Sequence, residues 1–257
     1  MQLWTPEHAK TLLPALAVML VIAAILRATI GHKSLKIRMI PFQILACILF
    51  VIEIGKQIVS SRGGYDLYSI PLHFCSLFIF ALPIMAFYRG KHQDTVFEVV
   101  AVLCTSMTLL MLIYPALIYG SWNIQSYFKG YLDFHTVTFH NIVMFELILI
   151  LALDLSSFKS KSAIKALMVV TAIFCAVSAT MAQLLKTNYA NFYECNIPPL
   201  ENLRITLQGV LGYGITQVLY VLIVSALTAA FVLLSCAVYR LLRKLIPSKQ
   251  TVKMTVA

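Results

Sequence analysis

The sequence predicts an all-α membrane protein with seven transmembrane helices, and three observations carry that reading. The chain of 257 residues is 60% hydrophobic and 12% charged, with a mean hydropathy of +0.87, whereas ordinary globular domains carry roughly 25% charged residues. Its apolar residues fall into seven blocks, each close to the ~20 residues that a helix needs to cross a bilayer core. Lys and Arg alternate in density between the ends of those blocks, fourteen at one set of ends and six at the other. A net charge of +10 also suits a nucleic-acid-binding chain, but here the cations sit mostly in short loops, where membrane topology puts them. Nucleic acid is therefore excluded as a partner, and membrane lipids are expected. Residues 1–257 read as a single multi-pass domain in the cell membrane.

The blocks lie at about 11–30, 39–60, 70–88, 96–118, 134–155, 163–186 and 210–241. Ahead of the first, Trp4 reads as an interfacial anchor, Thr5 as an N-cap and Pro6 as the first helical residue, with no basic n-region of a cleaved signal. Pro71, Pro83 and Pro115 are positions where a helix can break. The last block is longer than a span requires and contains Gly212 and Gly214, so its first turns read as an interfacial approach. The long connections 119–133 and 187–209 fall on one side. Because Lys and Arg are retained in the cytoplasm, the N-terminus is expected outside and the C-terminus inside.

Ionisable groups at the centre of a membrane helix cost ~2.5–3.5 kcal/mol on insertion scales, so their positions are informative. Glu53 and Lys56 fall in the second block, His73 and Cys75 in the third, His135 and His140 in the fifth and Gln183 in the sixth, all in the outward half. Asp133, Asn188, Tyr189, Asn191, Glu194 and Asn202 add polar groups from the two long connections. Glu53 and Lys56 are three apart and share a helical face, as an ion pair or with Lys56 snorkelling to the interface. Glu146, in mid-helix, needs a proton or a partner on another helix.

His73 and Cys75 resemble a base and a nucleophile, but residues two apart on a regular helix point about 200° away from each other. A nucleophilic Cys75 then needs its base from another helix, His140 or His135. His135 and His140 are about 140° apart, a poor spacing for two ligands of one metal; no metal and no cofactor is expected. The six cysteines lack CxxC spacing and imply no disulfide framework.

The string PLHFCS, from Pro71 to Ser76, resembles the LPLHLC signature of the YwaF-like bacterial integral membrane proteins. Glu53 matches an acidic residue in that family's preceding helix, His140 a histidine near the outer end of helix five, and TNYANFYE, Thr187 to Glu194, an NY-containing segment followed here by Pro198. These motifs occur in order over most of the chain. The YwaF-like group is similar to the eukaryotic transmembrane protein 164 family, and more remotely to the androgen-induced-gene family of membrane lipid hydrolases. The resemblance implies phospholipid acyl transfer, or ester hydrolysis, through a membrane cysteine. In the eukaryotic relatives that cysteine directly precedes the histidine in a Pro-Cys-His string, whereas here Cys75 lies two places after His73.

On this resemblance His73, Cys75 and His140 are the expected catalytic residues, with Glu53, Lys56, His135, Asn188 and Tyr189 as substrate-binding residues near the outer face. Glu53, His73 and His140 should then converge from three helices beneath an Asn188–Tyr189 cap, since buried polar groups need partners. The alternative is a transporter or lipid-binding membrane protein in which the same residues line a binding pocket without chemistry.

Overall fold

The computed structural model of the chain describes residues 4–119, 127, 129–156, 161–196 and 198–246. Its helices are α1 (Pro6–Ile30), α2 (Ile40–Ser60), α3 (Leu77–Phe87), α4 (Gln93–Ile113), α5 (Tyr131–Ala152), α6 (Lys161–Leu185), α7 (Pro198–Leu211) and α8 (Tyr213–Leu245). Single helical turns stand at Leu35–Arg38, Leu67–Ser69, Phe74–Ser76 and Ala116–Tyr119. There is no strand among the described residues. Of the eight helices α1 to α8, all but α3 and α7 are long and apolar enough to cross a bilayer, and α3 is a shorter apolar helix.

Local chemistry sets the helix starts. Thr5 Oγ1 accepts the His8 amide at 3.3 Å while the Thr5 amide donates to His8 Nδ1 at 3.2 Å, a capping box in front of which Pro6 begins α1. The Trp4 indole N–H donates to Leu112 O at 2.9 Å, so the start of α1 meets the end of α4. Of the apolar spans of α4 and α5, 67% is buried, against 6% for α1. These two helices form the centre: they pack on each other and between them touch α1, α2, α3, α6 and α8.

Alternating helix direction gives the bundle two chemically distinct ends. At one, the last carbonyls of α5 have no intrahelical donors and carry the negative end of the helix dipole. Arginines from other elements supply both needs: Arg27 reaches Ala152 O at 3.4 Å, Arg38 reaches Leu153 O at 2.7 Å, and Arg243 pairs with the Asp154 carboxylate. The other end holds Ser60, Tyr131 and Leu185 and the polar groups described below.

Two expectations are corrected. The third block, read as helical over 70–88, is α-helical only from Leu77: a proline bars the preceding residue from the helical region, Ile70 before Pro71 has φ −58° and ψ 134°, and His73 is again extended. The stretch 187–209, read as a connection, contains the amphipathic helix α7, separated from α8 by Gly212 at φ 78°. Most of the connection placed at 119–133, and the basic residues Lys159, Lys249 and Lys253 used in the charge count, lie outside the described residues.

On the charge asymmetry, the arginine end is expected to face the cytoplasm. In a cysteine-free background, a membrane-impermeant maleimide is expected to label Arg62→Cys from outside, and Ser34→Cys only after permeabilisation. Labelling of both from one side would refute the alternation.

Candidate active site

The third segment enters the bundle unwound. α3 has 11 residues, about 16 Å at 1.5 Å per residue, half of a ~30 Å hydrocarbon core. Bare backbone at such depth must be satisfied by protein or face a wet cavity, and side chains from three directions satisfy it here. Gln57 Nε2 donates to Ser69 O at 3.1 Å, the Tyr189 hydroxyl to Leu67 O at 2.5 Å and Ser178 Oγ to Leu72 O at 2.8 Å. His73 Nε2–H donates to Tyr68 O at 3.1 Å within the segment itself. His73 is extended, with φ −80° and ψ 159°, and a single 3-10 turn, Phe74–Ser76, follows before α3. The 200° separation of a regular helix therefore does not apply to His73 and Cys75.

Both side chains line one cavity of about 850 Å³. Glu53 and Lys56 of α2, His135 and His140 of α5, and Asn188 line it too. Seven of the eight residues singled out from the sequence thus face one space, including the expected trio Glu53, His73 and His140. Tyr189 stands behind the wall, fully buried with its ring 5.5 Å from that of His73 and its hydroxyl engaged by Leu67 O. It braces the unwound segment and has no proton to donate to a substrate.

Hydrogen bonds fix the histidines. A backbone carbonyl only accepts, so His73 carries its proton on Nε2 and His140, 2.6 Å from Thr136 O through Nδ1, carries it there. In the neutral rings this leaves a lone pair on Nδ1 of His73 and on Nε2 of His140. His135 is differently committed: its Nε2 lies 2.8 Å from Glu53 Oε2. Glu53 Oε1 also accepts from Gln57 at 2.7 Å and from Lys56 at 3.4 Å. The i,i+3 pair read from the sequence is present, but its nearer partners are His135 and Gln57. Gly55 permits this approach of α2 and α5, because a Cβ there would lie 2.0 Å from the Tyr131 hydroxyl, which donates to Ile52 O at 2.8 Å.

A stapled loop roofs the polar end. Asn188 Oδ1 accepts the Tyr193 and Glu194 amides, both at 3.4 Å. Gln183 donates to Phe192 O at 2.8 Å, Gln217 to Tyr193 O at 3.0 Å and Tyr220 to Asn191 O at 2.6 Å. Those bonds hold Ala190 and Asn191 at φ 49° and 63°. From α7, Arg204 lines the cavity, bonded to Glu201 at 2.5 Å and Gln217 at 3.1 Å and stacked 5.6 Å from the Tyr220 ring centre. Arg204 holds the Glu201 carboxyl below the usual carboxylate range.

Sequence reasoning missed Gln57, Arg204 and Tyr220 as site residues. Gln57 was visible as the i+4 neighbour of Glu53. Arg204 and Tyr220 were not, since only the turn at Gly212 brings α7 and α8 together. Glu146 is fully buried away from the cavity, with neither carboxylate oxygen hydrogen-bonded among the described residues. Of the two alternatives read from the sequence, a proton or a partner on another helix, no hydrogen-bonding partner is found among the described residues. Among the described residues no three His, Cys, Asp or Glu side chains group to hold a metal ion.

The sequence pattern of the TMEM164 family matches residues 3–236, nearly the whole chain and every element of this cavity. The chain belongs to the TMEM164 family. This bears out the transmembrane protein 164 resemblance, and makes the protein a multi-pass membrane member of that family. No curated protein and no solved structure matches the chain significantly.

Proposed function

We propose that this member of the TMEM164 family transfers acyl chains between phospholipids, with Cys75 as nucleophile, and that the site opens toward the outer leaflet of the cell membrane. The observation that supports it most is the unwound segment, which lets His73 and Cys75 line the same cavity as His140. Cys75 lies in the single 3-10 turn that leads into α3, two residues before its first residue, where helix N–H groups and the dipole favour a developing negative charge.

In the first step His140 Nε2 takes the thiol proton as Sγ attacks the ester carbonyl of a donor phospholipid. The ester C–O bond breaks, the departing lysolipid oxygen receives the proton, and a thioester remains on Cys75. In the second step the hydroxyl of an acceptor lysolipid attacks that thioester while His140 takes its proton. The C–S bond breaks, and the sulfur recovers the proton as thiol. Lys56 and the Asn188 amide are the candidate donors to the tetrahedral oxyanion, and His73 Nδ1 is a second proton acceptor beside the nucleophile. Water in place of the acceptor would give hydrolysis by the same route.

The test is transfer of a labelled acyl chain from phosphatidylcholine to a lysophospholipid by purified protein in lipid nanodiscs. Labelled diacyl product is expected. Neither transfer nor hydrolysis across a broad lipid panel would overturn the proposal in favour of a lipid-binding protein.

A further inference from the structure

Where α7 turns into α8 at Gly212, the cavity has a corner of hydrogen-bond donors whose neighbouring acceptors are already used. Thr216 is 3% exposed and lines the cavity, yet its hydroxyl has no partner among the described residues. The buried hydroxyls of Thr105, Thr171 and Ser235 bond to the carbonyl four residues back, so the orphaned Thr216 Oγ1 stands out as a group that needs a ligand. Arg204, bonded to the adjacent Gln217, lines the cavity too. Of its five N–H groups, two go to Glu201 and one to Gln217, which leaves two without an acceptor among the described residues. Glu201 is fixed in turn by the Cys195 amide at 2.8 Å. The roof loop repeats the pattern. Asn188 Oδ1 accepts the Tyr193 and Glu194 amides, and Asn191 Oδ1 accepts the Asn196 amide. Asn196 Oδ1 accepts from Asn188 Nδ2. Asn191 keeps its Nδ2–H groups uncommitted among the described residues and lines the cavity. No side chain caps the start of α8, so the positive end of its dipole adds to the field there.

We infer that this corner is a phosphate subsite, in which Arg204, the Thr216 hydroxyl and the Asn191 side-chain amide donate to the phosphodiester oxygens of a lipid headgroup. A phosphodiester is a monoanion that offers only acceptors, the complement of a surface whose own acceptors are engaged. Arg204 and Glu201 are neutral as a pair, so the anion is held by directed hydrogen bonds and the helix dipole and not by net charge. Leu200 and Leu207, four residues before Arg204 and three after it, line the same cavity, and such apolar neighbours suit a lipid headgroup better than free phosphate. The corner is separate from the chemistry proposed above. Phe74 packs on Phe174 at 5.6 Å, and the adjacent Cys175 meets Ser225 and Thr228 of α8, so the segment carrying His73 and Cys75 lies further along α8 than Thr216 does. The inference rests on the acyl-transfer reading only in expecting phospholipids at this cavity.

The test compares two radiolabelled probes binding to the full-length protein in dodecyl maltoside. One is an ether-linked hexadecyl lysolipid with a methyl phosphodiester headgroup, which has no ester to transfer; the other is hexadecyl glycerol, the same molecule without phosphate. Wild type is expected to prefer the phosphodiester roughly tenfold, as hydrogen bonds to a charged group contribute. Thr216→Val keeps the side-chain shape and should lose most of that preference while melting no lower than wild type, since the hydroxyl has no protein partner to lose. Arg204→Lys keeps a cation beside Glu201 but not the guanidinium's spare N–H groups, and should weaken the preference too. Thr228→Val, in the same cavity but with its hydroxyl already bonded to Val224 O, should leave it unchanged. Equal affinity of wild type for the two probes, or a preference that survives both Thr216→Val and Arg204→Lys, would overturn the inference. Displacement of the lysolipid by millimolar inorganic phosphate would mark a free-anion site and overturn the headgroup assignment. Labelled acyl transfer in nanodiscs separates the two readings. A Thr216-dependent preference without transfer keeps the phosphate subsite and rejects the enzyme, whereas transfer with no phosphate preference keeps the enzyme and rejects the subsite.

Discussion

Replacing His140 with alanine is expected to lower the acyl-transfer rate by roughly 10²–10⁴-fold, the usual contribution of a positioned general base. The Nδ1–H bond to Thr136 O orients the ring and reserves Nε2 for proton transfer, so the loss should be in turnover and not in lipid retention. Membrane insertion should persist, because a polar-to-alanine change makes the span more apolar. Cys75→Ser should be nearly inactive, since a hydroxyl is a far weaker acid than a thiol and is not activated by the same base. His73→Ala should also lose activity, with a second effect, since Tyr68 O then loses its donor within the unwound segment. The measurement is single-turnover transfer of the labelled acyl chain in nanodiscs, with thermal unfolding as a check on folding. Wild-type rates in both histidine variants would reject the proposed site. A fully active Cys75→Ser would reassign the cysteine to packing and the chemistry to another nucleophile.

The bundle was legible in the sequence because its cause is local: a block of ~20 apolar residues has no option in lipid other than a helix. The helical start at Thr5–Pro6 was readable for the same reason, as capping and proline act within one turn. The third segment was not. Its hydropathy is that of a span, and the mostly apolar run around Pro71 conceals that the backbone is satisfied by Gln57, Tyr189 and Ser178 from elsewhere in the chain. The relative positions of His73 and Cys75 followed from that misreading of regular helix. α7 escaped notice because it is too short and too polar to span. Its leucines at 200, 203, 207 and 211 have meaning only beside the α8 residues that line the same cavity, Leu219, Ile223 and Leu227 among them.

Glu53→Leu is expected to cost roughly 3–5 kcal/mol of stability, the range for breaking a buried ion pair by removing one partner. Glu53 and His135 are 6% and 7% exposed, and Glu53 alone accepts from three side chains, those of His135, Gln57 and Lys56. Without it, the His135 N–H and the Lys56 ammonium have lost their acceptor at this position, and the contact between α2 and α5 beside the site loosens. Glu53→Gln keeps an acceptor oxygen but loses the charge, so it should fall between wild type and Glu53→Leu. The double variant Glu53→Leu, His135→Leu should regain much of the loss, because replacing both members of a buried polar pair by apolar groups removes the orphan along with its partner. Thermal unfolding of these four proteins and of the single variant His135→Leu in one detergent, followed by intrinsic fluorescence, gives the cycle. If Glu53→Leu melts with the wild type, the network is a surface feature of the cavity and not a strut between α2 and α5. If the double variant is stable but inactive, the pair serves the chemistry by placing Lys56 and the α5 histidines.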